Sequence, residues 1–453
     1  MMMRLTELAA LLAAPLRGSD AVFDAVCTDT RSTRRGDLFI ALRGERFDAH
    51  DFVAQAGAAG AVAAVVERPV ASPIAQIVVA NTLDALAALG RHWRAQFDIP
   101  LIALTGSNGK TTVKEMLASI LRAQAGDDGV LATRGNLNNH IGVPLMLLEL
   151  RERHRYAAIE MGMNHPGEIA QLAALGAPTV ALVNNAQREH MEFMATVEAV
   201  AQENAAVFAA LPAHGTAVVN ADDAHADYFR RAAGAHRIVD FGIDKPAAVS
   251  GGYVLKNLTS EIRLRTPSGE AFATLAIPGL HNVRNALAAC ACAHAVGIAP
   301  EVMRNGLNRF RPYNGRLQVR HAAGGATVID DTYNANPDSV RAAIDVLAEC
   351  APPTVLVLGD MGEVGDHAEA FHREVGAYAR SCNVTSLCAF GEKTRGAAEA
   401  FGASATHAQS IEQLIERVRA CATPQATLLV KGSRFMRMER VVSALTGETG
   451  GAH

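Results

Sequence analysis

Hydrophobic positions along this chain alternate between two periods. Runs of strand length occur at 36–42 (GDLFIAL), 60–67 (GAVAAVVE) and 76–80 (QIVVA), with helical stretches between them. Leu5, Leu8, Leu11 and Leu12 fall on one face of an opening helix, and "TLDALAALGRHWRAQF" predicts another before a "DIP" linker at 98–100. Ile99–Thr105 is again a short apolar run. From Thr111 onward, Val113, Met116, Leu117, Ile120 and Leu121 take up helical spacing. Strands follow at 156–162, 179–185 and 215–223, and this alternation predicts a mostly parallel α/β sheet. Residues 249–277 alternate with period two around a Ser-Gly turn, as in an antiparallel insertion. Beyond 314 the strand-then-helix pattern repeats at "ATVIDD", "TVLVLGD", "SLCAFGE" and "TLLVKGS". The reading is an α/β protein of three domains, 1–97, 98–313 and 314–453. The middle domain has a mostly parallel sheet and the last is Rossmann-like.

Composition narrows the class. The 453 residues are 49% hydrophobic and 19% charged, enough for several cores. A net charge of −4 gives no basic surface for nucleic acid. No apolar run reaches the ~18 residues needed to span a bilayer. Thr6 and Glu7 interrupt what would be the apolar core of a signal peptide. Seven cysteines without a C-x-x-C pair suit reduced thiols, so a cytoplasmic protein without stable membrane association is expected.

The sharpest chemical signal is "LIALTGSNGKTTVKEM" at 101–116. A standard phosphate loop, G-x-x-x-x-G-K-[ST], would place a glycine where Leu104 stands. Even so, a strand turning through Gly106 and Gly109 into a helix aims backbone N–H groups and the positive helix end at an anion. Lys110 adds a full charge, and Thr111 a hydroxyl for Mg²⁺. Only six lysines occur in the chain, so one kept here carries weight.

Other polar clusters sit at strand ends, where open α/β sheets bind ligands. Glu160 ends a strand on the same sheet edge, as a metal ligand or a solvated carboxylate. His190 in "NNAQREHMEF" is either a loop histidine or a ligand at that edge. "GNLNNHIGVP" (135–144) holds Asn138 and Asn139 in a loop that is structural or substrate-binding. Asn282 and Asn285 are helix caps or amides that read a base edge. Arg316, then Asp331, Tyr333, Asn334 and Asn336 in "DDTYNANPDS", then Lys431 and Ser433 in "VKGSR" complete the set.

Taken in order, these motifs resemble the Mur ligase family of ATP-dependent amide-forming enzymes, over essentially the whole chain. T-G-S-N-G-K-T-T is similar to that family's compact phosphate loop. "CTDTRSTRRGDLFIALRGERFDAHDF" (27–52) resembles its uridine-binding N-terminal domain. "GNLNNHIGVP", "DDTYNANPDS" and "VLGDMGEVGDHA" (357–368) are most similar to the branch that adds a terminal dipeptide.

The resemblance implies ATP and Mg²⁺ as cofactors, and UDP-N-acetylmuramoyl-tripeptide and D-Ala-D-Ala as substrates. It implies a monomer serving peptidoglycan synthesis, and with it cell shape and division. It implies nucleotide contacts from Thr105, Gly106, Ser107, Asn108, Gly109, Lys110, Thr111, Thr112, Asn282, Asn285, Arg316 and Asp331. Thr111, Glu160 and His190 become metal ligands, and Lys110, His190, Arg316 and Asp331 the catalytic set. Thr30, Arg31, His50, Asn138, Asn139, Tyr333, Asn334, Asn336, Lys431 and Ser433 fall to the other substrates.

The chain departs from the family pattern in three places. Asn204 aligns with a lysine that is often carbamylated to hold a second Mg²⁺, which leaves Asn204, Glu203 or substrate to supply that oxygen. A-Q-R-E-H is more charged than usual before His190, and Ala49 replaces a glycine before His50. The competing readings are a diamino-acid-adding ligase or folylpolyglutamate synthetase of the same family, and a nucleotide-hydrolysing switch protein. The last leaves the polar loops at 135–144 and 330–339 unexplained.

Overall fold

The alternating pattern folds into three α/β units, and the computed structural model describes residues 1–44, 47–256 and 258–447. The N-terminal unit carries a five-stranded sheet in which Ala25–Cys27, Asp37–Ile40, Ala63–Val66 and Ala75–Val78 run parallel. Leu16–Arg17 pairs antiparallel at its edge. The opening helix spans Leu5–Leu11 and buries Leu5 and Leu8, as its spacing predicts.

Helix Thr82–Arg94 begins where the Asn81 side chain accepts the N–H groups of Leu83 and Asp84. It leaves the unit by packing on the middle one. Leu86, Leu89 and Trp93 share a core with Val143, Met146 and Leu147. The Trp93 indole donates to Leu150 O at 3.1 Å, and Arg94 donates to Gly176 O at 3.0 Å. Arg94 also binds the carbonyls of Phe97 and Ile99, so the predicted linker is held in place.

The middle unit is a nine-stranded sheet. Leu101–Thr105, buried throughout, lies between Tyr156–Glu160 on one side and Val180–Val183 on the other. Chain order reverses there, so a crevice opens at the carboxyl end of that strand. Helix Lys110–Ala125 buries Val113, Met116, Leu117, Ile120 and Leu121, each worth roughly 1.5–3 kcal/mol of transfer free energy.

The stretch at 249–277 forms the antiparallel strands Val249–Lys256, Thr259–Thr266 and Gly269–Leu275. It is no separate insertion, because Val249 pairs in parallel with Phe241 and extends the central sheet.

The C-terminal unit is a six-stranded sheet built on Thr327–Asp331, Thr354–Gly359, Ser386–Phe390 and Thr427–Lys431. All four strands were legible as apolar runs. The short edge strands Gln318–His321 and Ala405–Ala408 were not, since they are too polar to stand out.

Candidate active site

The phosphate loop is shaped by a strict lack of space. Gly106 and Gly109 take φ of +130° and +83°, which side chains rarely adopt. A Cβ on Gly109 would lie 2.3 Å from Asn285 Oδ1. Leu104 is an ordinary buried strand residue, so the loop begins at Gly106 and needs no earlier glycine.

Residues after the neighbouring strand hold the loop. Asn185 Oδ1 accepts the Asn108 N–H at 2.8 Å, and Asn184 Nδ2 donates to Asn108 O at 2.8 Å. The Gln187 N–H donates to Ser107 Oγ at 2.9 Å. Thr105, expected among the nucleotide contacts, instead turns its hydroxyl inward to Asn204 Oδ1 at 2.6 Å. Lys110 Nζ binds Ser107 O at 3.1 Å and Glu189 Oε1 at 3.0 Å.

Glu160 is 2% exposed at the end of its strand. Its Oε1 accepts from Asn138 Nδ2 at 2.8 Å and Thr111 Oγ1 at 3.3 Å, while Oε2 has no hydrogen-bond partner among the described residues. A buried carboxylate oxygen without a donor is costly unless a cation faces it, so the Glu160–Thr111 pair fits a hard metal ion. No preformed cluster of three acidic, histidine or cysteine side chains able to hold a metal occurs among the described residues.

His190 adopts the left-handed conformation at φ +50° and stands between two carboxylates. Nε2 is 3.6 Å from Glu189 Oε1, and Nδ1 is 2.8 Å from Glu363 Oε2, off the line of a directed hydrogen bond. The His190 contact holds the Glu363 carboxyl below its usual range against the opposing effect of burial.

Neither candidate for the missing lysine is free to serve. Glu203 accepts the N–H groups of Gly167 and Ile169 at a helix start. Asn204, fully buried, binds Thr105 and Val200 O.

The C-terminal unit closes over this edge and leaves two cavities. The larger, about 710 Å³, is lined by the phosphate loop, Glu160, His190, Asn138, Asn139, Arg316, Tyr333, Asn334, Asn336, Ser433 and Glu363, among others. The smaller, about 380 Å³, is lined by Gly109, Thr112, Asn282, Asn285, His281, Arg316, Asp331 and Lys431, among others. Arg316 borders both. Its guanidinium lies 4.1 Å from the Tyr333 ring centroid, and Nη2 is 3.5 Å from Thr111 Oγ1.

Several residues expected to contact ligands also have partners within the protein. Lys431, 2% exposed, donates to Asp331 Oδ2 at 2.6 Å and to Asn334 O at 2.8 Å. Burial lowers the Lys431 pKa, and Asp331 opposes that shift. Ser433 bridges Gly362 N and Ala335 O, and Asn139 Oδ1 accepts the N–H groups of Ile141 and Gly142 where helix Gly142–Leu147 begins. Asn282 donates to Pro278 O, and its Oδ1 accepts from Asn285.

Among the N-terminal expectations, Thr30, Arg31 and His50 line neither cavity. Arg31 pairs with Asp29 at 2.6 Å. His50 is buried, with Nδ1 on Asp48 at 2.6 Å and Nε2 accepting the Glu67 N–H at 2.7 Å. Both ring nitrogens of His50 are thus engaged within the N-terminal unit. Glu45 and Arg46 of that motif lie outside the described residues.

Sequence reasoning missed Arg188, Glu189 and Glu363. The charged run before His190 was visible, but nothing local could say which side chains meet Lys110 and which meet the C-terminal unit.

Comparison with known proteins follows the same three-part division. Matches run in chain order to the Mur ligase family, catalytic domain, at residues 22–94, to the Mur ligase middle domain at 104–293, and to the Mur ligase, glutamate ligase domain, at 315–434. UDP-N-acetylmuramoyl-tripeptide–D-alanyl-D-alanine ligase of Escherichia coli (strain K12) is 40% identical over 97% of this chain and 98% of its own. A crystal structure of MurF from Acinetobacter baumannii superposes with a TM-score of 0.91 at 37% identity, covering 98% of both chains. MurF ligase from Thermotoga maritima in complex with ADP has a TM-score of 0.83 at 26% identity, covering 94% of this chain and 97% of its own. With both its sequence and its fold matched nearly end to end, the chain belongs to the Mur ligase family.

Proposed function

We propose that this chain joins D-Ala-D-Ala to UDP-N-acetylmuramoyl-tripeptide, consuming ATP, in the synthesis of the peptidoglycan precursor. The observation that carries the reading is the larger cavity, where phosphate loop, Glu160 and Arg316 converge between two domains. Relatives matched over 97% of this chain bear that activity in their names.

An amide cannot form from a carboxylate at neutral pH until its oxygen becomes a leaving group. The tripeptide's terminal carboxylate attacks the γ-phosphorus of ATP, giving an acyl phosphate and ADP. The dipeptide amine then attacks the acyl carbon, loses a proton, and phosphate departs. Lys110 places its charge beside the transferring group, and the N–H groups at the start of helix Lys110–Ala125 face the same oxygens. Glu160, His190 and the Thr111 hydroxyl would hold Mg²⁺, which supplies positive charge against the phosphates when bound. With Asn204 and Glu203 engaged elsewhere, a second ion would draw its ligands from substrate.

Arg316 and Asp331 approach the nucleotide from the C-terminal side, Asn282 and Asn285 line its base end, and residues 1–97 take the uridine end. Gathering three substrates costs translational entropy, which closure of the C-terminal domain offsets. No helix among the described residues is long and apolar enough to cross a membrane, and we assign the enzyme to the cytoplasm as a monomer.

The test is ADP release by the purified chain with the UDP-tripeptide, Mg²⁺ and a panel of amines. Release with D-Ala-D-Ala, and not with diaminopimelate, lysine or glutamate, is expected. Release with a single amino acid instead would move the chain to another branch of the family.

A further inference from the structure

Between the strand Val180–Val183 and the left-handed His190, four consecutive side chains reach toward two domains. Gln187 Oε1 accepts from Asn108 Nδ2 at 2.7 Å, and Glu189 holds Lys110, so both face the phosphate loop. Arg188 faces the other way, toward the C-terminal domain, and His190 stands between the two with Nε2 toward Glu189 and Nδ1 toward Glu363.

Arg188 makes the densest contact. Nη2 reaches Asp338 Oδ1 at 2.6 Å, and Nη1 reaches Glu374 Oε2 at 2.7 Å. Its own backbone N–H adds Asp338 Oδ2 at 2.9 Å, and its guanidinium lies 5.1 Å from the Phe371 ring centroid. Arg341 binds the other side of Glu374 at 2.9 Å, so two cations and two carboxylates alternate in one network. The Arg188 and Asp338 side chains are each 23% exposed, so the network is only partly screened by solvent. A single lysine nitrogen could not fork to both carboxylates as a guanidinium does.

We propose that Arg188 is a positioning residue for ligation, a latch that holds the C-terminal domain shut over the nucleotide and is tied through Gln187 and Glu189 to the state of the phosphate loop. Asp338 is the second residue of helix Pro337–Ala348, whose cap, Asn336, itself donates to Asn108 Oδ1 at 2.9 Å. The latch and the phosphate loop therefore grip the same helix start. A nucleotide that draws Lys110 away from Glu189 perturbs the residue next to the latch. By reciprocity, closing the latch must alter nucleotide affinity.

This inference rests on the ligase reading for its kinetic arm only. The test compares the full-length chain with Arg188→Gln, Arg188→Lys, Glu374→Gln and the double variant Arg188→Gln/Glu374→Gln. Small-angle scattering with ADP and MgCl₂ should show the wild type compact at low salt. Arg188→Gln should be expanded, and Glu374→Gln should fall between. kcat/KM for D-Ala-D-Ala should fall about tenfold in Arg188→Gln, with Arg188→Lys recovering part of it. The double variant should lose less than the sum of the two single losses, because the two residues share a contact while Arg188 also holds Asp338 and Glu374 also holds Arg341.

Wild-type scattering and kcat/KM in Arg188→Gln, or fully additive losses in the double variant, would overturn the latch. Glu374→Gln leaves Arg188 in place, with Arg341→Gln as the control for its other pair, and still decides the matter if Arg188→Gln fails to fold. Should the wild type release no ADP with the dipeptide, the ligase reading falls, while the scattering comparison still judges the latch.

Discussion

Lys110 Nζ stands 3.0 Å from Glu189 Oε1, so the cation of the phosphate loop faces a carboxylate from the neighbouring strand's loop. Both side chains are only 12–13% exposed, which makes the pair a competitor that ATP must displace. Glu189→Gln is therefore expected to tighten ADP binding roughly three- to tenfold, measured by calorimetry at low salt. Weaker binding in that variant would mean that Glu189 assists the nucleotide. Lys110→Ala should lose product formation while retaining its circular dichroism, and near-normal turnover would remove the ATP assignment.

Gly109 faces the most severe steric limit in the site. A methyl group there meets Asn285 Oδ1 at 2.3 Å on a backbone already at φ +83°. Gly109→Ala should cost about 1–3 kcal/mol of stability and weaken ADP binding at least about tenfold. Equal melting temperatures and ADP affinities in variant and wild type would show that the loop accommodates the methyl group.

Glu160→Gln should shift two properties in opposite directions. The amide keeps an oxygen for Asn138 and Thr111 yet removes a buried charge whose Oε2 lacks a donor. Without metal the variant should be more stable by about 1–3 kcal/mol. Its affinity for Mn²⁺, followed by electron paramagnetic resonance in the presence of ADP, should drop at least about tenfold. A destabilised variant that still binds Mn²⁺ like the wild type would refute the metal assignment.

His281 gives the fold an acid-sensitive point. Burial among protein atoms lowers its pKa from 6.5 to about 4, although part of the ring borders the smaller cavity. Between those values the unfolded chain binds the proton and the folded chain does not. Stability therefore falls as pH drops through that window. The open side of the ring limits the loss to about 1–2 kcal/mol. Urea melts at pH 7.5 and 5.0 should show the wild type losing stability relative to His281→Gln, and parallel losses in the two proteins would contradict it.

Periodicity and punctuation along the chain determined the α/β class, the strands around the phosphate loop and the loop itself. Apolar runs and glycine turns are local properties, and Gly106, Gly109 and Lys110 lie within five residues. Residue type also marked Glu160, which ends a strand where ligands collect, and His190, in the loop seven residues beyond the end of another.

Tertiary structure alone decided what each polar side chain spends its atoms on. His50, Ser433 and Asn204 read as available donors or acceptors, yet folding gives each a partner within the protein. Glu189 and Arg188 stand out only as part of a charged run, yet one meets Lys110 79 residues away and the other meets Asp338 150 residues away. A polar group's role depends on which distant atoms saturate it, and that pairing exists only once the sheets have brought their carboxyl ends together.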